Sequence, residues 1–196
     1  MAGWADYDND GFFDLFVGDQ RGSNKLYRNN GNSNSWLEVQ CAGTASNRSG
    51  IGTKVRVNAF YRGANRRQLR EITGGDGLGN SQPLLAHFGL GDATNIDTVR
   101  IEWPSGIVQE FQNVAAKQFL TVTEPPQLRS AAISNGIFQL TSQGGRGFQY
   151  ALQASSNLVN WETVAMLSVT NISGAAPFAD PAATNFTRRF YRAVGQ

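Results

Sequence analysis

The fold class is decided by the stretch Thr53-Lys54-Val55-Arg56-Val57-Asn58-Ala59-Phe60. Its apolar residues alternate with polar ones at a period of two, which is the spacing of a half-buried β-strand and not that of a helix. A second run, Arg67-Gln68-Leu69-Arg70-Glu71-Ile72, follows after Arg62-Gly63-Ala64-Asn65. Because Gly and Asn are typical turn residues, the two runs predict an antiparallel β-hairpin with one polar and one apolar face.

The composition extends this prediction to the rest of the chain. The 196 residues are 40% hydrophobic and only 16% charged, and they include 22 glycines. Short apolar runs are separated by Gly, Asn and Ser, so we expect an all-β protein with many turns. The other predicted strands are 36–41, 99–103, 107–111, 119–123, 137–141, 148–154, 162–166 and 189–194.

The low numbers of Cys and His exclude several kinds of catalytic site. The chain has one Cys (Cys41) and one His (His87), which excludes an internal disulfide and a zinc site with several Cys or His ligands. A Ser-His-Asp arrangement would have to use His87, and the chain has no G-x-S-x-G motif. We expect both residues to be structural and the protein not to be an enzyme. No apolar stretch reaches 18 residues, so membrane insertion is not expected.

An acidic segment, Asp6-Tyr7-Asp8-Asn9-Asp10-Gly11-Phe12-Phe13-Asp14, contrasts with the formal net charge of +2. Alternate carboxylates can converge when the chain curls, and Gly11 permits the positive φ that a curl requires. Hard oxygen ligands favour Ca²⁺. The predicted ligands are the side chains of Asp6, Asp8, Asp10 and Asp14 and the carbonyl of Phe12. The alternative is a solvated acidic turn that binds no metal.

The acidic segment and the residues after it resemble an FG-GAP (VCBS-type) repeat. Asp14-Leu15-Phe16-Val17-Gly18 matches the strand after the loop, and Leu26-Tyr27-Arg28-Asn29-Asn30-Gly31 resembles the strand and turn that close a blade. The resemblance implies one blade of an integrin-like β-propeller, with calcium held in the loop. We therefore expect residues 1–31 to form a partial blade. Since a propeller needs at least four blades, we also expect the chain to be the C-terminal part of a longer protein.

Residues 36–124 resemble the ASPIC/UnbV family, which is widespread in exported bacterial proteins. The resemblance rests on Asn47-Arg48-Ser49-Gly50-Ile51-Gly52-Thr53-Lys54-Val55, on His87-Phe88-Gly89-Leu90-Gly91, and on Val99 through Trp103-Pro104-Ser105-Gly106. It implies a small β domain that acts as an interaction module, with no established reaction. Between Val39 and Arg70 the chain has seven basic residues and no acidic one. A solvated sheet face, a polysaccharide or anion site, and a nucleic-acid site are the open explanations, and nucleic acid is the least favoured because few aromatic residues lie nearby.

Residues 127–196 are expected to form a separate β-sandwich after a stiff linker at Glu124-Pro125-Pro126. Tyr150-Ala151-Leu152-Gln153-Ala154 through Trp161, together with Arg189-Phe190-Tyr191-Arg192, resembles a fibronectin III-like C-terminal module of exported bacterial proteins. That resemblance implies a spacer, adhesion or surface-sorting role.

Two functions follow from these resemblances. The first is a non-enzymatic, calcium-binding adhesion or interaction module, extracellular or at the cell surface, with an unidentified protein or polysaccharide ligand. The second is the ancillary polysaccharide-binding portion of an exported carbohydrate-active enzyme, in which the basic face with Trp36 or Tyr61 would hold the polysaccharide. No nucleic-acid partner is expected in either case.

Overall fold

The computed structural model describes residues 1–75, 81–135, 137–171 and 173–195. Within these residues the chain forms sixteen strands in five sheets, with one short 3-10 turn. The predicted all-β class is confirmed. None of the helical structure in these same ranges has the length and hydropathy that would let it cross a bilayer.

The chain contacts divide the molecule into two compact units. Unit 1 contains residues 1–42 and 49–122, and unit 2 contains residues 43–48 and 123–196. Each unit has its own hydrophobic core. The division is discontinuous in sequence, because residues 43–48 leave the first unit and pack with residues that follow about 80 positions later.

The first sheet of unit 1 has the order β1(Ala2–Ala5), β2(Asp14–Val17), β3(Lys25–Tyr27). Both pairings are antiparallel, and Leu15 pairs with Trp4 on one side and with Tyr27 on the other. The acidic segment is the connection between β1 and β2, so the short sheet holds both ends of that loop.

Two further sheets build the core of unit 1. Their strands are β4(Ser35–Ala42), β5(Lys54–Tyr61), β6(Ala64–Glu71), β7(Ala86–Gly91), β8(Asn95–Glu102), β9(Val108–Ala115) and β10(Gln118–Thr123). One sheet has the order β10-β4-β7 and the other β6-β5-β8-β9. Buried apolar residues of both sheets, such as Leu37, Val57, Phe88 and Ile101, form one core cluster. The predicted alternation in β5 is confirmed, since Val55, Val57 and Ala59 are buried and Lys54 and Arg56 are exposed.

The hairpin between β5 and β6 turns more tightly than the sequence predicted. Tyr61 pairs with Ala64, so Arg62 and Gly63 alone form the loop. Both have positive φ, +49° and +71°, as a two-residue type I′ turn requires. The predicted turn at Pro104-Ser105-Gly106 is confirmed, with the Gly106 N–H donating to the Trp103 carbonyl at 2.9 Å.

Unit 2 contains two three-stranded sheets. Its strands are β11(Gln127–Ser134), β12(Ile137–Gln143), β13(Gln149–Ser155), β14(Glu162–Ser168), β15(Ala175–Asp180) and β16(Phe190–Gly195). The orders are β11-β12-β15 and β14-β13-β16. Leu140, Tyr150, Leu152 and Leu167 are members of its core cluster. The two sheets enclose one apolar cluster, as expected of a small sandwich.

Glu124, predicted to start a linker, is fully buried in unit 2. Its Oε2 accepts hydrogen bonds from the backbone N–H groups of Thr44, Ala45 and Ser46 at 2.9, 2.9 and 2.6 Å. Its Oε1 accepts a further bond from the Ser46 hydroxyl at 2.9 Å. A buried carboxylate with several donors is a structural centre. Residues 124–126 form no strand and connect β10 with β11, at the position of the predicted linker, and Glu124 in addition holds residues 44–46 in place.

Candidate functional site

The loop between β1 and β2 is curled by its own carboxylates. Asp6 accepts from the N–H groups of Asp10 (3.1 Å) and Gly11 (2.8 Å), and Asp10 accepts from the N–H of Phe12 at 2.9 Å. Asn9 and Gly11 adopt positive φ, +59° and +88°. The predicted curl at Gly11 is thus present, and backbone N–H groups orient two of the predicted ligand side chains.

Three of the predicted side-chain ligands meet at one point. Oxygen atoms of Asp6, Asp8 and Asp14 lie within 4.8 Å of one another. Asp14 is buried, and its two oxygens accept from the N–H groups of Tyr7 (3.1 Å) and Asn29 (2.7 Å). Asp10 is not a member of this group; its Oδ1 is used by the Phe12 N–H, as given above.

Arg28 lies beside the acidic group and was not predicted from the sequence. Its Nε is 2.8 Å from Asp8 Oδ2, and its Nη2 is 3.9 Å from Asp10 Oδ2. The strand pairing of Leu15 with Tyr27 brings residue 28 close to Asp14, so only the register of β2 and β3 could have revealed this neighbour. Arg28 neutralises part of the negative charge on the loop.

One oxygen of the acidic group has no partner within the described part of the chain. Asp8 Oδ1 is buried and accepts no hydrogen bond from any residue that the structure describes. A buried oxygen without a donor costs free energy unless a cation or water satisfies it. Converging carboxylate oxygens with one free acceptor fit a hard divalent cation such as Ca²⁺, and they lack the nitrogen and sulfur donors that zinc prefers. The residues present therefore fit the predicted cation.

The acidic loop packs directly on the sheet β10-β4-β7. A Cβ placed on Gly11 would lie 1.8 Å from Trp36 Cε2, so the Gly11 backbone lies against the indole ring. His87 Nε2 is 3.0 Å from the Gly11 carbonyl oxygen, a distance at which Nε2–H donates to it. The His87 ring also lies 4.3 Å from the Phe13 ring, centroid to centroid. His87 therefore supports the acidic loop through its ring, a contact that the prediction of a structural histidine did not specify.

Glu38 lies under the same loop and is 3% exposed. Burial, with a smaller effect of the Asp6 charge, raises the pKa of Glu38 to about 7. Burial lowers the pKa of His87, against the opposing effect of its bond to Gly11. The two side chains are 3.9 Å apart, beyond hydrogen-bond distance. Both pKa shifts favour the neutral forms, so at neutral pH this contact is not a strong ion pair.

The aromatic residues proposed for a polysaccharide surface are placed differently from the expectation. Trp36 is 8% exposed and lies beneath the acidic loop, so it is not a surface platform. Tyr61 is partly buried against the core of unit 1. Cys41 is buried as predicted, and desolvation raises the pKa of its thiol to about 12.

The comparisons with known proteins support one of the resemblances that the sequence motifs predicted. Residues 43–129 match the family described as ASPIC and UnbV, which confirms that part of the predicted resemblance. Over 132 residues the chain is 32% identical to cartilage acidic protein 1 of Mus musculus. The alignment covers 61% of this chain and 18% of that protein, so the chain spans less than a fifth of the relative's length. No solved structure matches the chain.

Proposed function

We propose that this chain is a non-enzymatic, calcium-binding interaction module of an extracellular or cell-surface protein. The observation that carries the proposal is the convergence of Asp6, Asp8 and Asp14 around a point where Asp8 Oδ1 has no partner among the described residues. The matched family at residues 43–129 and the similarity to a protein named for cartilage support an extracellular interaction role.

The proposed role of calcium is structural. A cation beside Asp6, Asp8 and Asp14 would neutralise carboxylates that Arg28 neutralises only in part. The loop is joined to the sheet below it by the contacts of Gly11 with Trp36 and His87. Order imposed on the loop by the cation would therefore stabilise the sheet β10-β4-β7. Asp10 and the Phe12 carbonyl remain proposed ligands that would complete the shell.

The architecture that we propose keeps the two further resemblances. Residues 1–31 would be part of an FG-GAP-type blade, and residues 127–196 a fibronectin III-like module. The three-stranded sheet β1-β2-β3 and the two-sheet unit 2 support these assignments by their all-β form. The open edges of β1 and β3 are compatible with further strands that would extend the blade.

Isothermal titration with CaCl₂ tests the calcium proposal. We expect saturable binding to the intact chain and a loss of affinity of about tenfold or more in Asp8→Asn, which removes one charge while keeping the side-chain shape. The matched control is Asp19→Asn, an exposed acid outside the converging group, which should bind like the intact chain. No heat with the intact chain, or equal affinity for both variants, would refute the site.

A second candidate, the ancillary polysaccharide-binding part of a carbohydrate-active enzyme, is favoured by one observation. The outer face of the sheet β6-β5-β8-β9 carries a groove of about 510 Å³ lined by arginines and hydrogen-bonding side chains. Polysaccharide binding without catalysis is compatible with both candidates, and a catalytic domain elsewhere in the same protein would distinguish them.

A further inference from the structure

The groove on the outer face of the sheet β6-β5-β8-β9 is built by the register of its strands. Arg67, Asn58 and Thr98 occupy one cross-strand row, since Asn58 pairs with both of the others. The next row contains Leu69, Arg56, Arg100 and Glu110. These residues line the groove of about 510 Å³. Because paired residues share a face, their side chains project into the same space.

Two arginines of the groove are already paired. Glu102 Oε1 accepts from Arg56 Nε at 3.1 Å and from Arg100 Nε at 3.0 Å. Glu110 lies 3.3 Å from Arg100 Nη1. These ion pairs cross three neighbouring strands and hold the two guanidinium groups in place. They leave little unbalanced charge at that end of the groove.

Arg67 differs from Arg56 and Arg100, the other two arginines of the groove, because no acidic side chain of the described residues pairs with it. Across the described ranges, Arg67 makes no hydrogen bond or ion pair through its side chain. Asn58 lies beside it, and Asn58 Oδ1 is a buried acceptor that receives no donor from the described residues. With respect to the residues that the structure describes, the row therefore offers one unpaired cation and one unsatisfied acceptor next to each other.

Apolar side chains flank this row on the same face. Leu69 follows Arg67 by two residues along β6 and is 43% exposed. Phe60 follows Asn58 by two residues along β5 and is 57% exposed. Apolar surface next to hydrogen-bonding groups suits a ring that has both C–H faces and hydroxyl groups.

We propose that this groove binds a carboxylated sugar unit of an acidic polysaccharide. Its carboxylate pairs with Arg67, which can hold it through two parallel hydrogen bonds. Its hydroxyl groups donate to Asn58 and to the carboxylate of Glu110, and its ring lies against Leu69. The inference rests on the proposed interaction function and names the class of ligand.

The charges of the groove favour this ligand over a polyphosphate. The unpaired guanidinium of Arg67 balances the single charge of one uronate, and in hyaluronan, where a uronate alternates with an uncharged sugar, the neighbouring sugar brings no charge to Glu102 and Glu110, whereas successive phosphates would. Those two carboxylates repel phosphate but accept hydrogen bonds from sugar hydroxyls. A sugar acid therefore matches the groove: its carboxylate suits Arg67, its hydroxyl groups suit Asn58 and Glu110, and its ring suits the exposed Leu69.

Titration calorimetry of the intact chain tests the proposal with hexamers of galacturonate, mannuronate and hyaluronan. We expect at least one to bind, and its methyl-esterified form, which has lost the charge, to bind at least tenfold more weakly. Arg67→Ala should weaken binding of the free acid by tenfold or more, and Arg67→Lys should weaken it less. The matched control is Arg66→Ala, because Arg66 lies on the opposite face, over the Tyr61 ring.

Four results would overturn the proposal: no binding of any hexamer, equal binding of the esters, equal loss in Arg66→Ala and Arg67→Ala, or equally tight binding of inorganic phosphate or single-stranded DNA. Each titration is run in CaCl₂ and in EDTA. If a uronate hexamer still binds in EDTA while titration with CaCl₂ gives no heat of binding, the calcium site is refuted and the groove is supported. If CaCl₂ binds and no uronate hexamer binds, the calcium site is supported and the groove proposal is refuted.

Discussion

Replacement of Gly11 by Ala should destabilise unit 1 far more than the same replacement at Gly106. Both glycines have nearly the same positive φ, +88° and +87°. An alanine in this region costs about 1–2 kcal/mol in backbone strain at either position. The new methyl group has no neighbour within 4 Å at Gly106, whereas at Gly11 it would lie 1.8, 2.2 and 2.3 Å from three atoms of the Trp36 indole.

The additional loss at Gly11 comes from displacement of the loop. No Cβ is tolerated at those distances, so the loop or the indole must move. The His87 bond to the Gly11 carbonyl would then be lost, at about 1 kcal/mol. The indole would be partly uncovered, at about 1–2 kcal/mol. We expect Gly11→Ala to lower the free energy of unfolding by about 3–5 kcal/mol and Gly106→Ala by about 1–2 kcal/mol.

Urea unfolding of unit 1, followed by tryptophan fluorescence, measures both variants under the same conditions. Calcium titration of Gly11→Ala provides a second readout, because a displaced loop should also bind the cation more weakly. If the two alanine variants unfold at the same urea concentration, the Gly11 backbone does not depend on Trp36, and the argument that joins the loop to the sheet is wrong.

Two other substitutions test buried carboxylates. Glu124→Gln keeps one oxygen for the three backbone N–H donors but removes the negative charge that they stabilise and turns its NH₂ toward the Ser46 hydroxyl, so unit 2 should lose about 1–3 kcal/mol in urea unfolding. The exposed Glu162→Gln is its control, and a comparable loss there would contradict the reasoning. Glu38 has a folded-state pKa of about 7, above the ordinary value of 4.5. Its contribution to stability is therefore present below about pH 4.5 and is lost as pH rises through 7, by about 3 kcal/mol at most. Glu38→Gln should flatten the decline in unfolding free energy between pH 4.5 and 8 in EDTA, and an unchanged decline would show that Glu38 does not cause it.

The sequence predicted the strands with strong alternation better than those without it. β5 was evident because Val55 and Val57 alternate with Lys54 and Arg56. β1, β7, β11 and β15 were not predicted as strands. β15 contains Ala176 and Pro177, which carry little β preference, and is a strand because it pairs with β12 at the edge of a sheet. Pairing partners supply such a strand's stability, and they cannot be read from its own residues.

In the candidate site too, the sequence predicted what depends on nearby residues and missed what depends on distant ones. Asp6, Asp8 and Asp14 were predicted as ligands, and most of the hydrogen bonds that curl the loop join residues within seven positions of one another. The bond from the Asn29 N–H to Asp14 is the longer-range exception. Arg28, Trp36 and His87 were not predicted as neighbours of the loop. Arg28 directly follows β3, Trp36 lies in β4 and His87 lies in β7, so their positions depend on sheet register and on packing between sheets. The metal assignment itself stays a prediction until calcium binding is measured.

The hydrogen bonds that residues 44–46 donate to Glu124 affect the order in which the chain can fold during synthesis. During translation, residues 43–48 leave the ribosome about 80 positions before their buried acceptor. At about 5–20 residues per second, this loop waits several seconds without its partner. Closure of so long a segment is entropically costly, so unit 2 should be the later unit to fold. Pulse-labelling hydrogen exchange during refolding would detect late protection of the amides of residues 44–46.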